Sequence, residues 1–207
     1  MFESLLVHRW RVDARGTCRD ALLALCLAGM AVAGAGGLEV GKPLPEVALA
    51  GEQGGRLDGR PWSSEEVKGR LALVICAAPE KWHALEQLRD RMGGSGIRAD
   101  LLYTAVVFRC PNPLLQRLTV SIGRRKTRGW TNTDLILDKT GVVNASWQTG
   151  QTAVTAILVA PDGNVLHLLN GGLPPEDMDQ LVDAVGGYLC ACGKARKREA
   201  PPTTAEE

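Results

Sequence analysis

The sequence feature that most constrains the fold is an unbroken apolar run at residues 71–76, Leu-Ala-Leu-Val-Ile-Cys. A strand that is apolar on both sides must be covered on both faces, as in the parallel centre of an α/β sheet. The next segment, residues 80–92, carries Trp82, Leu85 and Leu88 at helical spacing. This spacing predicts a helix with one buried side. A strand that leads into such a helix is typical of layered α/β proteins.

The remaining apolar runs extend this alternation of strands and helices. In chain order we predict an opening loop and hairpin at 38–59, a capped turn at 62–66, strands at 71–76, 101–108 and 135–138 separated by helices at 80–92 and 114–122, strands at 154–159 and 165–169, and a helix at 174–189. The Pro-Asp-Gly sequence at 161–163 predicts a hairpin turn between the last two strands. This order predicts a sheet with a parallel core, an antiparallel edge and helices on both faces.

The first 37 residues have the three parts of a secretory signal peptide. Residues 1–20 contain four arginines and three acidic residues, and an apolar run follows at 21–33. Small residues then occupy positions 31–37. The apolar run is shorter than the ~20 residues that a membrane-spanning helix needs. The alternative is an amphipathic or buried N-terminal helix, which the abrupt loss of charge after residue 20 disfavours. We therefore expect a cleavable signal peptide at 1–35, one domain at 38–189 and a flexible polar tail at 190–207.

Net charge gives no support to a nucleic-acid partner, because the formal charge of the 207-residue chain is only +1. A dense basic patch, Arg124, Arg125, Lys126 and Arg128, precedes Trp130. This patch could recognise an anionic ligand or a lipid headgroup, although a solvated basic face is the commoner outcome. We expect no nucleic-acid partner, no cofactor, and no stable membrane span once the signal is removed. The expected partner is a protein or small ligand that the sequence does not identify.

Several short motifs resemble the thioredoxin fold of exported proteins. A strand at 71–76 leads through a short loop into a helix, and a later strand ends in Ala-Pro-Asp-Gly at 160–163. Within that fold, residues 38–189 are most similar to the YtfJ family of small periplasmic proteins. The motifs that carry this similarity are Asp138-Lys139-Thr140-Gly141, Ala145-Ser146-Trp147-Gln148, Thr152-Ala153-Val154 and Leu173-Pro174-Pro175-Glu176-Asp177. The resemblance implies an α/β domain with a thioredoxin-like central mixed sheet flanked by helices, located in the periplasm.

The same resemblance indicates which catalytic elements this chain lacks. Thioredoxin-like enzymes carry Cys-x-x-Cys at the start of the first core helix, where backbone N–H groups lower the pKa of the nucleophilic thiol. The matching positions here are Glu80 and His83, which cannot form a disulfide. Such enzymes also carry a cis-proline before the late strand. The matching position is near Val154, where a trans bond is expected because a non-proline cis bond costs about 3 kcal/mol.

Glu80 and His83 are three residues apart, so on a helix their side chains can face each other. One interpretation is a hydrogen-bonded acid–base couple. The other is that Glu80 interacts with the helix dipole and His83 is an ordinary surface histidine. Both interpretations are open from sequence.

Removal of the signal peptide leaves four cysteines, Cys76, Cys110, Cys190 and Cys192, in a compartment where disulfides can persist. Cys76 ends one predicted strand and Cys110 follows another, and adjacent strands are close enough for a bridge. They are therefore either a structural or redox-active cross-strand disulfide, or two buried thiols that serve as small hydrophobes. The second alternative is favoured, because the sequence does not set the register.

Cys190 and Cys192 lie at the end of the last predicted helix. Residues two apart point in different directions on a helix, so a bond between them needs an unwound and strained turn, and strained exposed disulfides are readily reduced. A Cys-x-Cys pair can also bind metal, but the mature chain offers only His83 and His167 as nitrogen ligands. No closed four-ligand zinc spacing is present, so we predict no metal site.

These observations leave two hypotheses for function. The favoured one is an exported thioredoxin-fold protein that binds or scaffolds and has no catalytic residues. The alternative is a thiol–disulfide oxidoreductase or peroxidase that uses Cys76 with Cys110, or Cys190 with Cys192. The absence of both usual catalytic elements is what favours the first.

The signal-peptide interpretation predicts that protein isolated from the periplasm of a bacterial host begins shortly after residue 35. Leu25→Arg places a charge in the apolar run, which opposes insertion, and should leave the precursor uncleaved in the cytoplasm. Glu52→Arg, in the predicted opening loop, is the matched control and should be exported normally. Intact-mass measurement of both fractions checks this, and a periplasmic protein that retains residues 1–35 would contradict it.

Overall fold

The computed structural model describes residues 37–149 and 154–193, and the elements below belong to these ranges. The strands are β1 (Ala48–Leu49), β2 (Gly54–Arg56), β3 (Trp62–Ser63), β4 (Ala72–Ala77), β5 (Tyr103–Arg109), β6 (Thr133–Asp138), β7 (Val154–Val159) and β8 (Val165–Gly171). The α-helices are α1 (Trp82–Gly94), α2 (Pro113–Lys126), α3 (Val142–Trp147) and α4 (Pro175–Ala191). Short 3₁₀ turns occupy Ser64–Val67, Pro79–Lys81 and Ala99–Leu101. The predicted signal peptide and residues 194–207 of the predicted tail lie outside the described residues.

Six strands form one mixed sheet in the order β2-β6-β5-β4-β7-β8. Strands β4, β5 and β6 are parallel to one another. Strand β7 runs antiparallel between β4 and β8, and β2 is antiparallel to β6 at the other edge. The prediction of a parallel core with an antiparallel pair beside it is therefore confirmed, and the domain is a mixed α/β fold.

Strand β4 lies inside the sheet, between β5 and β7, and all six of its residues are buried. Its side chains alternate between two hydrophobic layers, as the period of a strand requires. Leu73, Ile75 and Ala77 pack in the layer covered by α1, α2 and α4. Cys76 and its alternate neighbours pack on the opposite face. The continuous apolar run thus serves two cores at once.

The second face is covered by shorter elements. Trp62 of β3, Val67 of the adjacent 3₁₀ turn, and Val143 and Trp147 of α3 are all buried there. The Trp147 indole donates a hydrogen bond to the backbone oxygen of Pro45 at 2.9 Å, which attaches the opening segment to α3. Helices therefore lie on both faces, as predicted. The predicted cap also forms, because the Ser63 and Glu66 side chains each accept a hydrogen bond from the other residue's backbone N–H.

Three details differ from the sequence-based prediction. The opening segment is not a simple hairpin: β1 pairs with β3 in a separate two-stranded sheet, while the intervening β2 joins the main sheet beside β6. Helix α3 was not predicted, since it is short and depends on a cap from Asp138. Helix α2 extends to Lys126 and so includes Arg124, Arg125 and Lys126 of the basic patch, whose charges interact favourably with the negative end of the helix dipole. Among the described residues, no helix has the length and apolar character to span a membrane.

The pairing of β2 with β6 depends on a glycine. Gly54 has φ +134°, and a Cβ atom placed there would lie 1.8 Å from the backbone oxygen of Leu137. Only a residue without a side chain permits this close approach of two backbones. Gly59, in the following turn, also has a positive φ of +89°, but a Cβ atom there meets nothing within 4 Å.

We expect Gly54→Ala to destabilise the protein by about 3 kcal/mol or more, because the methyl group overlaps a backbone atom and the edge strand must separate. Gly59→Ala is the matched control, with strain from the positive φ alone and an expected loss of about 1 kcal/mol. Urea unfolding of the two variants measures the difference. Equal losses would show that the close approach of β2 to β6 is not a constraint.

Candidate functional site

The parallel strands β4, β5 and β6 end at the same edge of the sheet, which is where α/β proteins place ligands. We call residues 78–83, between β4 and α1, the α1 entrance. Cys76 lies just before it, Cys110 directly follows β5, and Asp138 is the last residue of β6. The fold therefore brings most of the candidate residues to one edge.

The α1 entrance carries no sulfur. Pro79 is buried and begins a 3₁₀ turn, and α1 itself begins at Trp82 with no side-chain cap. Trp82 packs against Phe108, with ring centroids 4.8 Å apart, and this contact fixes the helix against the sheet. Glu80 and His83 are both exposed to solvent at this entrance.

Glu80 and His83 do not form the acid–base couple that one interpretation proposed. The His83 Nε2 atom lies 3.1 Å from the side-chain amide nitrogen of Gln87, one turn further along α1. Glu80 lies in the 3₁₀ turn before α1, and Lys81 between the two elements has non-helical dihedral angles (φ −86°, ψ 11°), so the spacing of a continuous α-helix does not apply. The structure is consistent with the other interpretation, a surface histidine and an exposed glutamate.

Cys76 and Cys110 are not brought together. Cys76 of β4 is opposite Val107 of β5 in the sheet register. Its side chain belongs to one hydrophobic layer, whereas Cys110 packs in the layer on the other face. Both thiols are free and buried. The cross-strand disulfide hypothesis is therefore wrong for this structure, because three residues along a strand reverse the direction of a side chain.

The surroundings of both thiols oppose ionisation. Burial raises the pKa of Cys76 far above its ordinary range, and the negative charge of Asp138 adds to this effect. Burial also raises the pKa of Cys110, with smaller contributions from Asp138 and Glu80, although a hydrogen bond to Thr119 acts in the opposite direction. The Cys110 Sγ atom lies 3.6 Å from the Thr119 hydroxyl oxygen. A nucleophilic thiol needs a cationic or dipolar partner, and these thiols face carboxylates instead.

Asp138 is the organising residue of this edge, whereas sequence reasoning placed it only at the end of a predicted strand and in the motif at 138–141. Its buried carboxylate accepts hydrogen bonds from the backbone N–H groups of Gly141, Val142 and Val143 at 2.7, 3.0 and 3.0 Å. These contacts hold the start of α3 against β6. The Asp-x-x-Gly sequence at 138–141 is the signal that could have revealed this cap. Nearby, the Nε atom of Arg109 is buried without a hydrogen-bond partner in the described part of the chain.

Cys190 and Cys192 are exposed and free at the end of α4. Cys190 is in the last helical turn, and the Cys192 N–H donates to the Tyr188 oxygen at 3.0 Å. The backbone therefore stays wound, and the strained turn that a bond between these two thiols requires is not formed. Helix α4 extends two residues into the region that we predicted as a tail.

The basic patch is partly neutralised. Lys126 forms an ion pair with Glu86 at 2.6 Å, and the Arg124 guanidinium donates to the Leu57 oxygen at 3.2 Å. Arg125 and Arg128 are exposed. Within residues 37–149 and 154–193, no three His, Cys, Asp or Glu side chains are grouped as a metal site would require. The peptide bond before Val154 begins at a residue outside the described ranges.

Solved structures with the same fold are numerous. The chain is similar to a thiol peroxidase from Chromobacterium violaceum, with 15% identity over 77% of this chain and 90% of that one, at a TM-score of 0.54. A proposed protein disulfide isomerase from Bacteroides thetaiotaomicron matches with 15% identity over 74% and 91% of the two chains, at a TM-score of 0.52. A proposed thioredoxin from Neisseria meningitidis matches with 15% identity over 78% and 100%, at 0.50.

These similarities establish that the domain has a thioredoxin-like fold. No protein-family model matches the chain, and no curated protein matches it. A sequence identity of 15% in all three cases supports a shared fold and does not transfer the chemistry of those proteins to this chain.

The difference in exposure among Cys76, Cys110, Cys190 and Cys192 predicts two reactivity classes in a native protein that lacks residues 1–35. Cys190 and Cys192 should react rapidly with dithiobis(nitrobenzoate) at pH 8, because both are exposed. Cys76 and Cys110 should react only after denaturation, because each is buried and its pKa is raised. Absorbance titration in native buffer and in guanidinium counts the thiols.

Two variants serve as controls for this titration. Replacing Cys190 and Cys192 together by serine should remove the fast class, whereas Cys76→Ser should leave it unchanged. Peptide mapping of the denatured, unreduced protein provides the opposing outcome. A disulfide between Cys76 and Cys110 in that map would contradict the assignment of both residues as free thiols.

Proposed function

We propose that this is an exported thioredoxin-fold protein that acts by binding or scaffolding and does not catalyse thiol–disulfide exchange. The observation that carries the proposal is the composition of the α1 entrance. Glu80 and His83 occupy the positions where a redox enzyme of this fold has its two cysteines. Neither side chain can accept or donate the electrons of a disulfide.

The electrostatics of the adjacent sheet edge support the proposal. Burial raises the pKa of both Cys76 and Cys110, the charge of Asp138 raises both further, and Glu80 adds to the effect at Cys110. A thiol enzyme of this fold needs the opposite arrangement, in which a helix N-terminus and cationic neighbours stabilise the thiolate. An edge built in this way favours neutral, packed thiols over nucleophiles.

We further propose that the protein is periplasmic and similar in role to the YtfJ family. Support for export comes from residues 1–35, whose basic start, apolar run and small residues are typical of a signal peptide. Support for the family comes from the motifs that it shares with this chain, among them the Asp138–Gly141 sequence that caps α3. The proposed domain comprises residues 38–189.

A second candidate function is thiol–disulfide oxidoreductase or peroxidase activity, and two observations favour keeping it. Several proteins of similar fold are described as thiol-disulfide oxidoreductases or peroxidases. Cys190 and Cys192 are also exposed and free at the end of α4. Of the four cysteines in the proposed mature chain, this pair is the one that solvent and substrates can reach.

We expect the purified mature protein to reduce insulin in the presence of dithiothreitol, and to consume hydrogen peroxide, no faster than buffer. The reason is that no cysteine lies at the α1 entrance, where a helix N-terminus would lower the pKa of a thiol, and that Cys76 and Cys110 are buried. Initial rates for the wild-type protein and for single Cys→Ser variants at positions 76, 110, 190 and 192 provide the measurement.

The serine variants distinguish the two functions. Turnover well above buffer that is abolished by one of these substitutions, in a protein with an unchanged circular dichroism spectrum, would establish the oxidoreductase and exclude the binding proposal. Unfolding of Cys76→Ser or Cys110→Ser would not affect the test, because the wild-type rate alone decides whether turnover exists.

A further inference from the structure

An apolar cavity of about 370 Å³ lies at the end of the sheet opposite the α1 entrance. Its floor is formed by side chains of β4, β5 and β6, and its roof by α1 between Leu85 and Gly93. The connections that lead into β5 and β6 close its sides. This volume is within the range of small-molecule sites. Sequence reasoning did not reveal the cavity, because its lining comes from segments far apart along the chain.

The interior of the cavity is hydrophobic. Its apolar lining comes from Leu73, Ile75, Leu85, Leu88, Met92, Ile97, Leu102 and Val106. No acidic side chain lines it in the described part of the chain. A site of this kind binds hydrocarbon through the exclusion of water, and polar groups at one end then fix the orientation of the ligand.

Those polar groups are gathered at one end of the cavity. Thr104 and Thr133 are directly opposite each other at the start of β5 and β6. Trp130 lines the same end, and its Nε1 atom is buried without a hydrogen-bond partner among the described residues. Four buried side-chain polar atoms lack a partner among the described residues, and Trp130 Nε1 is the one whose residue lines this cavity. Buried N–H groups normally have an acceptor, so this atom is available to an acceptor on a ligand.

Two arginines also line this end, and both carry positive charge. Arg89 lies over the Trp130 ring, 5.0 Å from its centroid, and forms an ion pair with Asp90. Arg128 has no ion-pair partner within the described ranges and is exposed beside the cavity. Arginine is the side chain best suited to bind a carboxylate, since its planar guanidinium donates two parallel hydrogen bonds.

We propose that this cavity binds a single-chain amphiphile with a carboxylate head, of the size of a medium-chain fatty acid. The hydrocarbon chain lies between α1 and the sheet, and the carboxylate accepts hydrogen bonds from Arg128 and from the Trp130 N–H. The inference goes beyond the proposed function, because no residue of the α1 entrance lines the cavity. It holds whether or not the protein turns over thiols.

Isothermal titration of the mature protein with decanoate, below its micelle concentration, tests the proposal. The expected result is saturable binding of one decanoate per protein, with at least fivefold weaker binding of decanol and of decylamine. Decanol keeps the hydrocarbon chain without the charge, and decylamine reverses the charge. Absence of saturable decanoate binding, or equal affinities for all three probes, would overturn the proposal.

Two exposed arginines provide a matched pair of variants. Arg128→Gln should weaken decanoate binding about tenfold, equivalent to about 1.4 kcal/mol, and leave decanol binding unchanged. Arg125→Gln removes the same charge from α2 at a position that does not line the cavity, and should bind decanoate like the wild type. Equal losses in the two variants would show a non-specific charge effect and overturn the assignment of Arg128.

Two further measurements distinguish binding inside the cavity from binding at the protein surface. Trp130→Phe keeps an aromatic ring but removes the indole N–H, and should weaken decanoate binding several-fold with little change in thermal stability. Co-sedimentation with phosphatidylglycerol vesicles distinguishes a membrane surface as the source of the anion. Binding to vesicles that Arg128→Gln abolishes, with no decanoate binding, would assign Arg128 to a lipid surface and overturn the cavity proposal.

Discussion

The structure depends on the burial of β4 on both faces and along both edges. Its six residues are all buried, with β5 on one side and β7 on the other. Alternate side chains supply the two hydrophobic layers, so neither layer can form without this strand. Because β4 is fixed in this way, the α1 entrance that directly follows it begins at a defined position. The position of every candidate site residue at that edge follows from this one strand.

The edge where β4, β5 and β6 end shows how this thioredoxin-like fold uses a buried carboxylate for structural anchoring. Asp138 uses its carboxylate to hold the start of α3, which fixes a negative charge near Cys76 and Cys110. The interaction that stabilises one helix therefore works, together with burial, against thiolate formation in both cysteines. Anchoring α3 requires a carboxylate at this edge, whereas activating a thiol there requires positive charge. In this chain the carboxylate is present.

The two ends of the sheet differ in character. The edge at the α1 entrance is compact, with buried thiols and a carboxylate that is fully engaged in hydrogen bonds. The opposite end contains a cavity with an unpaired indole N–H and an arginine beside it. In proteins of this fold that perform thiol chemistry, the helix entrance is the functional end. The end at the α1 entrance also holds buried polar atoms without a partner in the described part of the chain, Trp82 Nε1 and Arg109 Nε. Of these atoms and Trp130 Nε1, only the last lines the apolar cavity, where an exposed arginine lies beside it.

The sequence by itself determined the order of the main strands and helices, since the apolar runs and the helical spacing of residues 71–92 follow from local periodicity. It also determined that the α1 entrance has no cysteine pair, because this depends only on residue identity. The tertiary structure alone decided that Cys76 and Cys110 lie on opposite faces, since a shift of one residue in register reverses a side chain. The tertiary structure alone also decided that β2 pairs with β6 instead of with a neighbouring strand of the opening segment. The enclosure of a cavity by segments far apart in the chain was likewise decided only there. Periodicity reports the face that each element buries, whereas register and enclosure arise from contacts between residues far apart in the chain.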